Sequence, residues 1–299
     1  MSAAMQIAER VHSLAQEEND AALMIGAYRT LACTLLFSGD FEASRQAARR
    51  AFQIWRSGSV QPHPEDPHKS VVACLCYLTV CEWHLGEIAS CQAKLAEAIS
   101  LAKELNDMHV LANVLGWAAA LAVNERNCAE VDRLASDLIE LSTRHNFVFW
   151  RAIGAIHYGW VRSVSGDTAE GIPWIEQGIR DFRATGTVLG LPSHLAQKAE
   201  ALHVAHRTAE ALDTINEAEA LVERLEQRLY CAELHRLRGA FLATMGAEEA
   251  QIEASFGEAI RIAREQCSVS LEKRAEGTYA EYRRQKAGGS AGLRRLVAI

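Results

Sequence analysis

Apolar residues recur at three- and four-residue spacing along most of the chain. Two examples are FEASRQAARRAFQIW (residues 41–55) and CQAKLAEAISLAKEL (residues 91–105), in which polar and charged side chains fill the other positions. This spacing is typical of amphipathic α-helices that bury one face. Only five prolines interrupt the pattern, and three of them stand in one insert. The chain is therefore predicted to be almost entirely helical, with an all-α fold.

A period of 40 residues relates the predicted helices to one another. Turn-like segments such as HLGEIAS and VSGDTAE recur at this spacing, and they align on Gly86, Arg126, Gly166, His206 and Gly246. Small side chains precede each turn by seven positions, at Thr79, Ala119, Gly159, Ala199 and Gly239. Self-similarity at such a period is the signature of a repeat architecture, and a small residue allows the backbones of two helices to approach closely.

The order of large residue, small residue, turn and later small residue resembles that of tetratricopeptide repeats. Those repeats usually have about 34 residues, so each unit here is predicted to be longer by about a turn, and a HEAT-like repeat is the alternative. We expect a right-handed α-solenoid of about six TPR-like helix pairs with a 40-residue period. An earlier unit with its turn at Gly39 fits the same template.

The domain boundaries follow from the same template. Residues 1–285 are predicted to form a single repeat domain, in which residues 57–70 form a proline-rich loop between units. Residues 286–299 are expected to be a flexible or bound tail. The first helix carries Ile7, Val11 and Leu14 on an apolar face with no partner upstream, so it either caps the solenoid or mediates a dimer.

Composition narrows the function classes. The net charge is −7 and no long basic run occurs, which argues against direct nucleic-acid binding. Neither a signal peptide nor a membrane span is predicted, because no apolar stretch is judged long enough. Eight cysteines are scattered through apolar segments, as reduced thiols are in cytoplasmic proteins. We expect a cytoplasmic protein without membrane contact.

The sequence contains no recognised catalytic or phosphate-binding motif. G-x-x-x-x-G-K-[ST], G-x-G-x-x-G, H-E-x-x-H and G-x-S-x-G are all absent. Three groups have metal-ligand residue types: the cysteines at 74, 76 and 81, the pair His203 and His206, and the loop residues at 63, 66 and 68. Each group lacks a complete ligand set. We therefore predict no enzyme activity, no metal and no cofactor.

A binding surface is predicted on the concave side of the stack. In the tetratricopeptide register, aromatic, amide and charged residues of several units are expected to point toward it. These candidates are Trp83, His84, Asn113, Asn124, Trp160, Glu200, His203, Glu233 and Arg236. Aromatic and amide groups together suit a peptide or a helix. The alternatives are that the two tryptophans belong to the core and that Glu233 pairs within the structure with Arg236 or Arg238.

Three segments resemble a known family. Residues 66–86 (DPHKSVVACLCYLTVCEWHLG), residues 181–186 (DFRATG) and residues 232–239 (AELHRLRG) followed by ASFGEAIRIAREQ are similar to the helical-repeat region of bacterial proteins that join a class III adenylate or guanylate cyclase domain to an ATPase module. The resemblance covers roughly residues 5–285. It implies a regulatory repeat region, while the motifs of the cyclase and ATPase domains are absent here, so no catalytic residue is carried over.

The leading hypothesis is a non-enzymatic scaffold that binds a protein or peptide partner and regulates signalling. The resemblance suggests a cyclase, an ATPase or a transcription regulator as the partner. One alternative is a small-molecule sensor, which should have an enclosed pocket of about 300 to 1,000 Å³. A second is a docking subunit of a separately encoded cyclase or ATPase.

Overall fold

The computed structural model describes residues 2–58, 66–288 and 296–297, and these residues form fourteen α-helices and no strand. The helices are α1 (Ser2–Glu18), α2 (Ala21–Ser38), α3 (Phe41–Arg56), α4 (Pro67–His84), α5 (Ile88–Glu104), α6 (Met108–Asn124), α7 (Cys128–Arg144), α8 (Val148–Val164), α9 (Thr168–Ala184), α10 (Leu191–Val204), α11 (Thr208–Leu225), α12 (Cys231–Met245), α13 (Glu249–Glu265) and α14 (Val269–Ala287).

Six helix pairs, α2–α3 to α12–α13, form the stack, and α1 and α14 lie at its ends. The even-numbered helices contact one another along the molecule and form the inner layer, while the odd-numbered helices pack mainly on their chain neighbours. This arrangement confirms the predicted all-α solenoid of about six helix pairs.

The 40-residue period is visible in the backbone as a left-handed residue at the turn inside each pair. Gly86, Gly166 and Gly246 have φ values of 80°, 107° and 70°, a region that glycine enters without steric cost. Arg126 and His206 stand at the same position with φ values of 58° and 63°. The turn therefore forms with or without glycine, and side chains at these two turns are available for other contacts.

Helices approach each other most closely where the small residues stand. A Cβ atom on Gly159 of α8 would lie 2.5 Å from the carbonyl oxygen of Gly171 in α9, well inside van der Waals contact. A Cβ atom on Gly178, about two turns further along α9, would lie 2.8 Å from the carbonyl oxygen of Ala152. The small residues at these positions therefore set the distance between helices α8 and α9.

The boundaries differ from the prediction in two places, at the start of α4 and at the end of α14, which continues to Ala287. Helix α4 begins at Pro67, inside the predicted loop 57–70, because Asp66 accepts a hydrogen bond from the backbone N–H of His68 at 3.0 Å and proline suits the first turn of a helix. The rest of the loop, residues 59–65, lies outside the described residues.

In α1, Ala8 and Ala15 are buried, whereas Ile7 is 62% exposed and Val11 and Leu14 are also exposed. The dimer through this face stays a prediction.

Helix α2 alone among the described helices is long and apolar enough to cross a membrane by length and composition. The sequence expectation that no segment comes near that length was therefore too strong. Its residues Ile25, Leu36 and Phe37 are buried in a core cluster with side chains of α3 and α4. Burial of this kind is typical of a core helix in a folded domain.

The two ends of the stack meet. The backbone N–H of Arg228 donates to the carbonyl oxygen of Phe37 at 2.8 Å, Nδ1 of His84 lies 2.8 Å from Oγ of Ser268, and Ser270 donates to the carbonyl oxygen of Trp83. Helix α14 also contacts α4. The helices and these contacts surround the concave side, which we call the interior.

Candidate binding site in the concave interior

The predicted concave residues lie in this interior, and most of them are buried. Asn113 is partly buried, and the other eight have little exposed surface. Trp160 is 1% exposed and Arg236 has no exposed surface. The buried positions are Trp83, His84, Asn124, Trp160, Glu200, His203, Glu233 and Arg236.

An ionic cluster, defined here as Arg126, Glu200, Glu233, Arg236 and Arg274, occupies the centre. Arg236 binds the Glu233 carboxylate with two parallel hydrogen bonds, Nε to Oε2 at 2.9 Å and Nη2 to Oε1 at 2.8 Å. Both residues belong to α12, three positions apart, so the pair forms within one turn of helix. This is the internal pairing that the sequence offered as the alternative to a ligand-facing role.

Two further arginines reach the same carboxylates from distant parts of the chain. Arg126, at the turn between α6 and α7, pairs with Glu200 and lies 3.5 Å from Oε1 of Glu233. Arg274 of α14 lies 3.5 Å from the same oxygen and donates to the backbone carbonyl of Asn124. The three guanidinium groups face two carboxylates, so the cluster has an excess positive charge.

The predicted tryptophans Trp160 and Trp83 make cation–π contacts with two of these arginines. The guanidinium of Arg126 lies 5.5 Å from the ring centroid of Trp160, and that of Arg274 lies 5.5 Å from the ring centroid of Trp83. Cation–π contacts of this kind are stronger where water is excluded. Trp83 and Trp160 are therefore both core residues and part of the electrostatic environment of the interior.

The carboxylate of Glu233 stays ionised despite its burial. Burial raises its pKa, but the positive charges of Arg236 and Arg274 and the hydrogen bond from Arg236 outweigh this and hold the pKa at about 2. A buried charge is tolerated only when it is paired and hydrogen-bonded. Glu233 is thus a permanent negative charge that holds Arg126, Arg236 and Arg274 close together.

A piece of the chain's own C-terminal region is seated against this cluster. Arg236 donates to the carbonyl oxygens of Leu296 at 3.3 Å and Val297 at 3.5 Å, and Arg126 donates to that of Val297 at 3.4 Å. The side chains of Leu296 and Val297 are buried. Residues 289–295 and 298–299 of the predicted tail lie outside the described residues, and residues 286 and 287 belong to α14. The interior therefore holds two residues of peptide through their backbone and side chains.

A concave cavity of about 530 Å³ continues from this point. Its wall includes Arg126, Trp160, Glu200 and His203, and Val297 lies at its edge. A volume in this range is typical of ligand sites. Of the predicted residues, Trp160, Glu200 and His203 line the cavity, and Glu233 and Arg236 belong to the adjoining ionic cluster. His84 contacts Ser268 where α4 meets α14.

Sequence reasoning missed Arg126, Arg274 and Tyr230 as site residues. The hydroxyl of Tyr230 donates to Oδ1 of Asn124 and so fixes a predicted candidate. One signal was present for Arg126, since an arginine replaces the glycine of neighbouring turns at a position of the 40-residue period. No local signal marks Arg274, because its partners are Glu233 and Asn124, far away in the sequence.

The described residues offer no metal site. They contain no group of three or more His, Cys, Asp and Glu side chains placed to hold an ion, and residue 63 of the loop group lies outside them. The eight cysteines are free thiols. Burial raises the pKa of Cys74 and Cys81 to about 12, so both thiols stay protonated and unreactive near neutral pH.

No family model matches the chain. An uncharacterized protein of Rhizobium meliloti (strain 1021) is 24% identical over 214 residues, which cover 72% of this chain and 21% of that protein. The chain thus spans about a fifth of the length of this relative.

Three solved structures share the fold at low sequence identity. A Rap conjugation gene regulator of the plasmid pLS20 in complex with the Phr* peptide is 11% identical with a TM-score of 0.56, over 89% of this chain and 79% of that chain. The apo form of RapI is 12% identical with a TM-score of 0.54, over 88% and 99%. A Rap protein complexed with Competence and Sporulation Factor is 10% identical with a TM-score of 0.53, over 93% and 88%. These similarities confirm a tetratricopeptide-like helical-repeat fold.

Proposed function

We propose that this chain is a non-enzymatic regulatory scaffold that binds a short protein or peptide segment in the concave cavity. The observation that carries the proposal is the seating of Leu296 and Val297, whose backbone carbonyls accept hydrogen bonds from Arg126 and Arg236. Backbone carbonyls are present in any peptide, so these arginines supply affinity while the surrounding wall selects side chains. Two of the solved structures with this fold are complexes, one with the Phr* peptide.

The interior favours a short apolar segment over a long helix. The ends of the stack meet, and the cavity of about 530 Å³ is bounded by Trp160, Val164 and Val204 beside the ionic cluster. A segment with small or branched apolar side chains and free backbone carbonyls suits this wall. The resemblance to cyclase–ATPase repeat regions directs the search for the partner to cytoplasmic signalling proteins of three kinds: cyclases, ATPases and transcription regulators.

Fluorescence anisotropy with a labelled peptide of the sequence of residues 290–299 tests the proposal. In the full chain the peptide competes with Leu296 and Val297 of the chain itself, so replacement of both by serine should increase peptide affinity by about tenfold or more. A scrambled peptide of the same composition is the control for charge-driven binding, which should be weaker and more sensitive to salt.

A cavity-filling variant locates the binding. Val164→Trp, made in the tail variant, places an indole in the concave cavity without removing an ion pair, and it should abolish peptide binding. Val148→Trp is the matched control, because Val148 lies on the same helix and is exposed. Absence of binding to the tail variant, or equal binding to Val164→Trp, would contradict the proposed function.

A further inference from the structure

A second cavity lies in the inner layer, separate from the concave cavity. Its volume is about 240 Å³, and it is lined by α2, α4, α6, α8 and α10, by Phe182 of α9, and by the loops that precede α10 and α12. Seven Phe, Tyr and Trp rings of the described residues line it. Tyr77 and Trp117 meet edge to face, with ring centroids 5.6 Å apart. We call this space the aromatic cavity.

One wall of the aromatic cavity is built by the repeat itself. Tyr77, Trp117, His157 and Gln197 stand 40 residues apart in α4, α6, α8 and α10, at the same position of four successive units, and all four line the cavity. The inner helices lie side by side, so residues at one register position form a continuous stripe. The period that builds the fold therefore also builds this wall.

Three buried polar atoms at this cavity lack a hydrogen-bond partner: Oδ1 of Asn113, Nε2 of His157 and Nδ1 of His194. The side chains of His157 and His194 are almost completely buried. Nδ1 of His157 lies 2.9 Å from Oε1 of Gln197 and donates a hydrogen bond to it, so Nε2 presents a lone pair. A buried polar atom without a partner costs about 1 to 3 kcal/mol, so the acceptors Oδ1 of Asn113 and Nε2 of His157 favour a ligand that donates a hydrogen bond.

No Asp, Glu, Lys or Arg is among the described residues that line the aromatic cavity. Burial lowers the pKa of His157 to about 4, and burial together with the neighbouring His157 lowers that of His194 to about 3, so both imidazoles are neutral near pH 7. A charged ligand would lose its hydration there without gaining a counter-ion. The lining therefore selects a neutral molecule.

We propose that the aromatic cavity is a second binding site, which takes a neutral aromatic molecule of one or two rings that carries an N–H or O–H donor. A cavity of about 150 Å³ already holds benzene, so the larger volume here accommodates a fused bicyclic ring. The rings of the wall pack against the ligand, and Oδ1 of Asn113 and Nε2 of His157 orient its donor. Leu189 lines the cavity and is 38% exposed, so the loop between α9 and α10 forms the entrance.

Fluorine NMR of the full chain with 5-fluoroindole tests this site directly. Titration should give saturable broadening and a shift of the ligand signal. The N-methyl derivative of the same probe keeps the rings but lacks the donor, so it should bind at least about tenfold more weakly. Equal affinity of the two probes would overturn the proposed role of the polar atoms, and no saturable binding at millimolar probe would overturn the site.

Two variants place the probe in the aromatic cavity. Ala120→Phe fills the space and leaves every polar group in place, so it should abolish binding, while His157→Phe keeps a ring but removes the acceptor and should weaken binding about tenfold. His145→Phe, at an exposed position at the end of α7, is the matched control. Thermal unfolding of each variant verifies that it is folded. Unchanged probe binding in folded Ala120→Phe would overturn the assignment, whatever the peptide experiments give.

Discussion

At the scale of single residues, burial of Arg236 determines what its replacement will do. Arg236→Ala leaves the Glu233 carboxylate buried with its main partner removed, and loss of one partner of a buried ion pair costs about 3–5 kcal/mol. We expect a decrease of this size in the free energy of unfolding, measured by urea denaturation. Arg238→Ala is the control, because Arg238 pairs with the partly exposed Glu219 and should cost at most about 1 kcal/mol. Similar losses in the two variants would contradict the buried pair.

Three buried histidines make stability depend on pH. Burial lowers the pKa of His84 and His194 to about 3 and that of His157 to about 4, against 6.5 for an unperturbed side chain. Below pH 6.5 the unfolded state binds these protons and the folded state does not, so stability falls as the pH is lowered from 6.5 toward 4. The expected slope is roughly 1 kcal/mol per histidine for each pH unit.

Urea denaturation at several pH values between 4.5 and 7 measures this slope, and His194→Phe should reduce it by about a third. Glu233 acts at lower pH, since its stabilising charge is lost only as the pH falls through the range from 4.5 to about 2. His145→Phe is the exposed control. A slope that His194→Phe leaves unchanged would contradict the neutral buried state.

The tetratricopeptide register assigns Glu233 and Arg236 to the concave side but does not predict their burial. In the structure both are buried residues of the inner helix α12. Their exposure depends on Leu296, Val297 and Arg274, which reach α12 from other parts of the chain. The 40-residue period does not encode contacts between residues so far apart in the sequence. The sequence therefore predicts more solvent-facing binding candidates than the structure has.

At the scale of helices, the close approach of α8 and α9 rests on glycine. Gly159→Ala would place Cβ 2.5 Å from the carbonyl oxygen of Gly171 and 2.8 Å from the backbone nitrogen of Ile175. Backbone atoms cannot give way as a side chain can, so the helices must separate, and we expect a loss of about 1–3 kcal/mol. Gly257→Ala in α13 is the matched control, since its Cβ meets nothing within 4 Å.

Thermal unfolding followed by circular dichroism compares the two alanine variants. Alanine at a compatible helical position usually adds about 0.4–1 kcal/mol of stability, so the two substitutions should shift the melting temperature in opposite directions. A gain in stability from Gly159→Ala would show that the spacing between α8 and α9 is not set by this contact.

Helix positions were predictable because one period controls them. The turn residues at 40-residue spacing all lie at left-handed positions, and a second series, Asn106, Asn146, Gly186 and Glu226, has positive φ at the junctions between pairs. Asparagine and glycine are the residues that most readily adopt this conformation. The second series is present in the sequence at the same 40-residue spacing, but the predicted register rested only on the turns inside pairs.

At the scale of the whole molecule, contact between the two ends of the helical stack changes how the solenoid should unfold. In an open solenoid each unit contacts only its neighbours, and unfolding can begin at either end. Here Nδ1 of His84 in α4 is hydrogen-bonded to Oγ of Ser268, and the backbone carbonyl of Trp83 accepts a hydrogen bond from Ser270. In each pair the two residues are more than 180 positions apart in the sequence. This contact couples the two ends, so we expect α4 and α14 to be protected from hydrogen exchange as one unit.

The double variant Ser268→Ala/Ser270→Ala removes both hydroxyls without adding volume and leaves Nδ1 of His84 buried without a partner, which costs about 1–3 kcal/mol. Amide exchange in α4 should then accelerate together with exchange in α14. The double variant Ser163→Ala/Ser255→Ala is the matched control, because those hydroxyls donate to carbonyls of their own helices. If exchange in α4 stays unchanged while α14 loosens, the ends are not coupled. Coupled loosening would mean that the enclosed interior, and with it the seating of Leu296 and Val297, depends on closure of the stack.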